Sequence, residues 1–304
     1  MTAGVARAAG PARLVEREVR AGKECSPVLG RVIPAIGLLL LGGCPCPFCD
    51  KAPADNKARL VLQITETEDA QALDRMVDEL RARGGTAAIL TDGDFAAQNC
   101  ERLQALHNEG YEIMAFLRPE SGTMSDLTRA EQEQLITATK NALESCLGAP
   151  VKGFRATRFD QNQDTWEILD ATGFVYNLAF VVGRNCLPGH EADVLPYRSP
   201  AYSFWAVPMH AADNQGRMSA FCDNPFDNLS AADWEALLKS EFDKQQAANR
   251  PLLVEFHPKF SGVDEGRFQA YVSFLDYAVE HGAEFMSVAE YVAWAEDADA
   301  ACNE

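Results

Sequence analysis

Along the chain, short continuous apolar runs alternate with segments in which apolar residues recur at helical spacing. Short apolar runs, such as Arg59–Ile64 and Leu252–Phe256, have the length and the bounding turn residues of buried strands. Between them, apolar residues recur at helical spacing, as they do from Leu73 to Leu80. Strands and helices that alternate from residue 58 onward predict an α/β domain whose parallel sheet closes into a barrel through right-handed crossovers.

The remaining elements follow from the same two patterns. Further strands are predicted at residues 86–90, 111–116, 151–155, 175–180 and 285–288. Further helices are predicted around residues 100–106, 128–147, 165–171, 230–242 and 268–279, with a last one after Ser287. Thr128 and Glu131 form a capping box, and Gly148 ends that helix. Residues 181–228 are rich in Pro, Gly, Asn and aromatic side chains, which predicts an irregular segment over the mouth of the domain.

The composition is that of a packed globular protein with an acidic surface. Hydrophobic residues make up 47% and charged residues 24% of the 304 positions. The formal net charge is −18. A surface of that charge repels nucleic acid and anionic lipid headgroups. We therefore expect no nucleic acid partner, and membrane contact only through a lipid anchor.

Residues 1–43 have the pattern of a leader that ends in a signal peptide. A basic flank precedes twelve uncharged residues, Val32–Gly43, a run too short to span a bilayer but suited to a signal-peptide core. The sequence Leu-Gly-Gly-Cys at 41–44 resembles a bacterial lipobox, in which the Cys44 thiol accepts lipid. The alternative is a buried strand with a core cysteine. We expect a leader over 1–43 whose true start lies further along, a lipid-anchored tether over 44–57, and an exported α/β domain over 58–299 that faces the periplasm or the cell exterior.

Export would place the cysteines in a compartment that permits disulfides. Cys100 and Cys146 lie on consecutive predicted helices, which are neighbours in an α/β barrel, so a bridge between them is expected. Cys186 and Cys222 both lie in loop-like sequence and could pair with each other. For each of the four, a small buried thiol is the alternative, and the sequence does not fix the pairing.

Four segments carry a pattern beyond this alternation. They are the strand end at Leu60–Thr67, the strand Gly110–Phe116, the block Gly148–Phe174, and the closing strand Leu253–His257 with Ser287–Tyr291. In order and spacing they resemble the NodB-homology polysaccharide deacetylase domain of carbohydrate esterase family 4, over the stretch from Leu60 to Trp294. The resemblance implies an α/β fold, a distorted and incomplete (β/α) barrel, and a glycan or cell-wall polysaccharide as partner.

The resemblance is good for the scaffold and poor for the catalytic residues. Members of this family hold a divalent metal with one Asp and two His, use a second Asp as base beside an orienting Arg, and protonate the leaving amine with a His. Carried over residue by residue, the base falls on Thr65, the metal Asp on Glu66, the metal His pair on Phe116 and Glu120, the Arg on Arg155, and the acid on His257.

The resemblance therefore implies His257, Arg155 and Glu66 as catalytic residues. It implies Glu66 and Glu120 as ligands of zinc or a similar cation. The alternative is that both are solvated loop carboxylates and that no metal is bound. A shifted register would offer Glu68 and Asp69 as the carboxylate pair instead.

The substrate-binding residues implied by this site are a cation and two aromatic rings. Arg158, with Arg155, could hold a carboxylate or sugar hydroxyls, and an ion pair with Asp160 or Asp164 is the alternative. Trp205 and Tyr202 could stack on a sugar ring, or they could simply pack. Two functions stay open. One is a hydrolase with an atypical site that deacetylates N-acetylated cell-envelope glycans. The other is a catalytically inactive lipoprotein of the same fold that binds glycan or a partner protein.

Overall fold

The predicted alternation of strands and helices is present in the computed structural model, which describes residues 55–302. Cys44, the leader and most of the tether lie outside the described residues. The strands are β1 (Arg59–Thr65), β2 (Ala88–Thr91), β3 (Glu112–Leu117), β4 (Gly153–Ala156), β5 (Tyr176–Val181), β6 (Tyr197–Arg198), β7 (Trp205–Met209), β8 (Ala211–Asn214), β9 (Arg217–Ala220), β10 (Leu252–Phe256) and β11 (Glu284–Met286). The helices are α1 (Ala70–Ala82), α2 (Gly93–Gln98), α3 (Cys100–Asn108), α4 (Arg129–Leu147), α5 (Gln163–Ala171), α6 (Ala231–Ala247), α7 (Glu265–Glu280) and α8 (Val288–Cys302).

The main sheet is a curled half-barrel in the order β10-β1-β2-β3-β4-β5-β7-β6. Every pair in it is parallel except β6 with β7. The two halves of β1 have different neighbours along one edge, because β11 pairs with Arg59–Val61 and β2 with Gln63–Thr65. Because these strands are parallel, their carboxyl ends all lie at the same end of the barrel. In parallel α/β folds that end carries the chemistry.

Alternate side chains of each strand face the helices or the barrel interior. On β1, Leu60, Leu62 and Ile64 pack in the layer under the helices, whereas Val61 packs in the interior cluster. At the amino end of the strands α8 closes the interior with Val288, Tyr291 and Val292. Towards the carboxyl ends the interior positions become polar, which leaves that end for ligand contacts. They are Gln63, Thr65, Arg155 and Glu255.

The prediction of an irregular segment at 181–228 is wrong in part, because four strands lie within it. β7 adds to the edge of the sheet beside β5, and Pro208 is tolerated there because it follows a register shift between Asn177 and Phe180. β8 and β9 form a hairpin. Directly after it, Cys222 makes a parallel bridge with Glu255 of β10. This bridge brings residue 223 to the carboxyl end of the barrel.

The disulfide between Cys100 and Cys146 is confirmed and joins α3 to α4. The predicted pairing of Cys186 with Cys222 is wrong. Cys222 is a free, buried thiol, because it packs in the barrel interior beside β10 rather than in a surface loop. Cys186 is itself disulfide-bonded, to a residue other than Cys222. In the part of the chain that the structure describes, none of the helices has the length and apolarity needed to cross a bilayer.

Candidate functional site

A cleft lies at the carboxyl ends of β1, β3, β4 and β10. Its cavity volume is about 90 Å³, which is smaller than most ligand pockets, and it opens to solvent. Its lining consists of Thr65, Glu66, Thr67, Glu68, Phe116, Arg118, Thr157, Asn224, His257 and Lys259. Hydroxyl, amide and charged groups from separate elements thus converge around one aromatic ring.

The floor beneath the cleft is a buried ion pair between β4 and β10. Arg155 is 3% exposed and Glu255 is fully buried, and the Arg155 guanidinium lies 2.5 Å from Glu255 Oε1. The same oxygen accepts a hydrogen bond of 2.5 Å from Thr65 Oγ1. Arg155 also donates to Gln63 Oε1, 3.1 Å away, and lies over the Phe159 ring. Burial alone would raise the pKa of Glu255, but the charges of Arg155 and His257 and the hydrogen bonds from Arg155 and Thr65 together outweigh it, and the pKa is lowered.

His257 is held between two buried carboxylates. Its Nδ1 is 2.6 Å from Asp223 Oδ1, and its Nε2 is 3.4 Å from Glu255 Oε1. Asp223 is fixed in turn, because its Oδ2 accepts from the His257 backbone N–H and from Ser261 Oγ. Burial would lower the pKa of His257, yet the charges of Glu255 and Asp223 outweigh it and raise the pKa. An imidazole between two carboxylates is therefore favoured in its cationic form.

Glu66 is hydrogen-bonded to the backbone of the turn that follows β1. It is 4% exposed, and its Oε1 accepts hydrogen bonds from the backbone N–H groups of Thr67, Glu68 and Asp69, all within 2.8 Å. Asp69 then caps α1 by accepting from Gln71 N and Ala72 N. One carboxylate oxygen of Glu66 thus shapes the turn between β1 and α1, as an acceptor at the start of a helix commonly does.

The donor set of the cleft does not fit the divalent metal that the resemblance implies. Phe116 brings a phenyl ring, which cannot ligate, and one oxygen of Glu66 is saturated by backbone donors. Glu120 is exposed beyond β3 and does not line the cleft. Among residues 55–302, side chains of His, Cys, Asp and Glu form no group of three or more that could hold a metal ion.

The rim of the cleft carries a second, exposed ion pair and an unpaired cation. Arg118 donates to Glu68 Oε1 over 2.8 Å, with the two side chains 46% and 61% exposed. Lys259 is exposed after β10 and forms no ion pair with the described residues. Arg158 is also exposed, and its φ of 58° lies in the left-handed region, as does that of Phe159. Strained non-glycine residues of this kind cluster at functional sites.

The predicted substrate-binding residues are placed in different regions. Arg158 follows β4 at the cleft end but does not line the cleft, and neither Asp160 nor Asp164 pairs with it. Trp205 begins β7 at the opposite end of the barrel and is stacked under Arg198. Tyr202, three residues earlier, packs on Trp166 and Phe204. The structure therefore does not bring the two aromatic residues to the cleft, whereas it does bring His257, Arg155 and Glu66 together around it.

Glu255 and Asp223, the two buried carboxylates beside His257, were not identified from the sequence. Glu255 had a readable signal, since a single acid inside the otherwise apolar run Leu252–Phe256 must be paired if the strand is buried on both faces. Asp223 had none, because it lies in a segment without periodicity and reaches His257 only through the bridge between Cys222 and Glu255.

Comparison with known proteins identifies solved structures that have a similar fold. No family model and no curated protein matches the chain. A probable polysaccharide deacetylase from Pseudomonas aeruginosa PAO1 superposes with a TM-score of 0.60 at 18% identity, covering 78% of this chain and 91% of that one. The Puue allantoinase gives 0.60 at 17% identity, covering 83% and 93%. A CE4 family pseudoenzyme from Bacillus anthracis gives 0.51 at 11% identity, covering 78% and 66%.

These similarities establish the fold. It is the α/β half-barrel of NodB-type polysaccharide deacetylases, as the sequence predicted. At such low identity the neighbours carry the architecture only, and a shared architecture does not imply a shared activity.

Proposed function

We propose that this protein binds N-acetylated glycans in the cleft and does not hydrolyse them by the metal-dependent route. The observation that carries the proposal is the position of the carboxylate beside Arg155. It comes from Glu255, which is fully buried beneath Thr65, rather than from a cleft-facing residue of β1. A carboxylate with no exposed surface cannot contact a water molecule in the cleft, so Glu255 cannot act as the base there.

The lining suits recognition of a sugar. Thr67, Thr157 and Asn224 offer hydroxyl and amide groups that can both donate and accept hydrogen bonds, as sugar hydroxyls and an N-acetyl group require. Phe116 supplies an apolar face among them. Few convergent polar groups around an apolar surface are the usual design of a small-ligand site. That structural neighbours include both polysaccharide deacetylases and a CE4 family pseudoenzyme supports a glycan ligand with or without turnover.

A hydrolase with an altered site is the second candidate. The pair of Asp223 and His257 favours it, because a histidine held cationic at the cleft could still protonate a leaving amine. The two candidate functions can be distinguished by acetate, which only the hydrolase would release.

The test measures binding and acetate release on the same preparation. Titration calorimetry with tetra-N-acetylchitotetraose (hereafter chitotetraose) should give saturable binding, while acetate release with added Zn²⁺ or Co²⁺ should not exceed that of the buffer. Asn224→Ala should weaken binding, and Asn228→Ala, an exposed residue of the same segment outside the cleft, is the matched control. Metal-dependent acetate release that disappears in His257→Ala would establish the hydrolase and overturn the proposal.

We further propose that the chain is exported and lipid-anchored through Cys44. The support is the order of basic flank, apolar run and small residues before that cysteine. A full-length protein should partition with membranes, and Cys44→Ala should release it. Equal partitioning of both would contradict the anchor.

A further inference from the structure

Each carboxylate around the cleft is hydrogen-bonded or ion-paired to another group of the protein. Glu66 accepts three backbone N–H groups, Glu255 pairs with Arg155, and Asp223 pairs with His257. Glu68 is held by Arg118. By contrast, Lys259 lines the cleft, is exposed, and has no ion pair in the described part of the chain. The cleft therefore presents an excess of accessible positive charge.

Two cations act on the same place at the rim. Arg118 and Lys259 follow β3 and β10, and both line the cleft. The hydrogen bond from Arg118 lowers the pKa of the Glu68 carboxyl, and the charge of Lys259 lowers it further. The Glu68 carboxylate is thus stabilised by the positive charges of both Arg118 and Lys259. Because Glu68 and Arg118 are largely exposed, their pair contributes little stability and can be exchanged for another carboxylate.

We propose that the cleft selects acidic glycans, with a uronate carboxylate of the ligand held between Arg118 and Lys259 in place of Glu68. This inference rests on the proposed function and adds the substrate class. A guanidinium recognises a carboxylate through paired N–H donors, and the lysine adds a point charge on a flexible stem.

The two cations at the rim contrast with the acidic character of the whole protein. With a formal net charge of −18, the protein as a whole repels an anionic polysaccharide. A carboxylate-bearing ligand is therefore attracted only where accessible cations outnumber the carboxylates beside them, as Arg118 and Lys259 do around Glu68. Such attraction acts over short range at physiological ionic strength, so it discriminates ligands in the cleft rather than at a distance.

The test compares two glycans that share N-acetylglucosamine and differ in charge, a hyaluronan tetrasaccharide and chitotetraose. Wild-type protein should bind the hyaluronan fragment more tightly, and raising the salt concentration should weaken that binding while leaving chitotetraose unaffected. Lys259→Gln should weaken hyaluronan binding about threefold, the size expected for one partly exposed charge pair. Glu68→Gln should strengthen it by a similar factor, since Arg118 is released.

The control is Lys152→Gln, which removes an exposed lysine just before β4, at the opposite end of the barrel. It should change neither affinity. Chitotetraose binding as tight as hyaluronan, or a Lys259→Gln effect equal on both glycans, would overturn the charge selection and leave the proposed function standing. Failure of both glycans to bind would overturn both proposals.

Discussion

The floor and the rim of the cleft contain the same chemical pair, an arginine and a glutamate, in two surroundings. In the floor, Arg155 and Glu255 are 3% and 0% exposed and 2.5 Å apart. On the rim, Arg118 and Glu68 are 46% and 61% exposed and 2.8 Å apart. The distances are similar, so burial is what separates the two pairs.

Burial decides whether a pair is fixed or exchangeable. A charge removed from water depends on its partner, and loss of that partner leaves it uncompensated. An exposed charge regains water when its partner leaves, so the pair stabilises the fold by about 0.2–1 kcal/mol at most. The floor is therefore part of the scaffold, whereas the rim is available to a ligand.

The largest expected effect comes from breaking the floor pair. Arg155→Leu should lower the free energy of unfolding by about 3–5 kcal/mol, because Glu255 is left buried without its main counter-ion. Urea unfolding at pH 7 measures it. The double variant Arg155→Leu with Glu255→Leu should recover part of the loss. Arg118→Leu is the rim control, and an equal loss in that variant would remove the distinction between floor and rim.

A second carboxylate in the floor should also destabilise the protein. Thr65→Asp would place it against Glu255 Oε1, where Thr65 now donates a hydrogen bond. Two carboxylates in contact cannot both ionise, so we expect a loss of about 2 kcal/mol at pH 7. Thr65→Val, which removes only the hydrogen bond, is the control and should cost less. Combining Thr65→Asp with Glu255→Gln should relieve the loss, and additivity of the two single variants would contradict the shared position.

The pH dependence of stability should report on His257. Its pKa is raised in the folded state above the ordinary value of 6.5, so the stability that it contributes is complete below pH 6.5. That contribution is lost as the pH rises through the higher folded-state value. Unfolding curves between pH 6 and pH 9 should therefore show a decline that Asp223→Asn reduces. His107→Asn, on α3, is the control and should leave the decline unchanged.

The smallest effect is expected on the rim. Glu68→Gln should change the free energy of unfolding by less than about 1 kcal/mol, because both partners stay hydrated. Thermal unfolding in low and high salt measures it. A loss of several kcal/mol would show that the rim pair is a fixed part of the fold and cannot yield to a ligand carboxylate.

The contrast also shows which parts of the molecule could be predicted from its sequence. β1, β3, β4, β5 and β10 were predictable, because each is a short apolar run between turn residues and each pairs with parallel neighbours. α4 was predictable from its cap, since Thr128 and Glu131 form the expected reciprocal bonds. Arg155 and His257 were implied by the family resemblance, and both lie near the carboxyl ends of parallel strands.

The rest depends on contacts between segments that are distant in the chain. β7 was missed because Pro208 breaks the strand pattern, and only the register shift beside β5 accommodates it. Asp223 was missed because the hairpin of β8 and β9, not any local pattern, carries it to His257. α2 was missed because Asp92 caps a helix of only six residues, too short to show a period.

The most direct test of the account is the affinity for chitotetraose with and without metal. Titration calorimetry would be run on protein dialysed against EDTA and on the same protein with added zinc chloride. Because the proposed binding mode uses Thr67, Thr157, Asn224 and Phe116 and no metal ion, we predict dissociation constants within about twofold of each other. Binding that appears only with zinc would contradict the central claim.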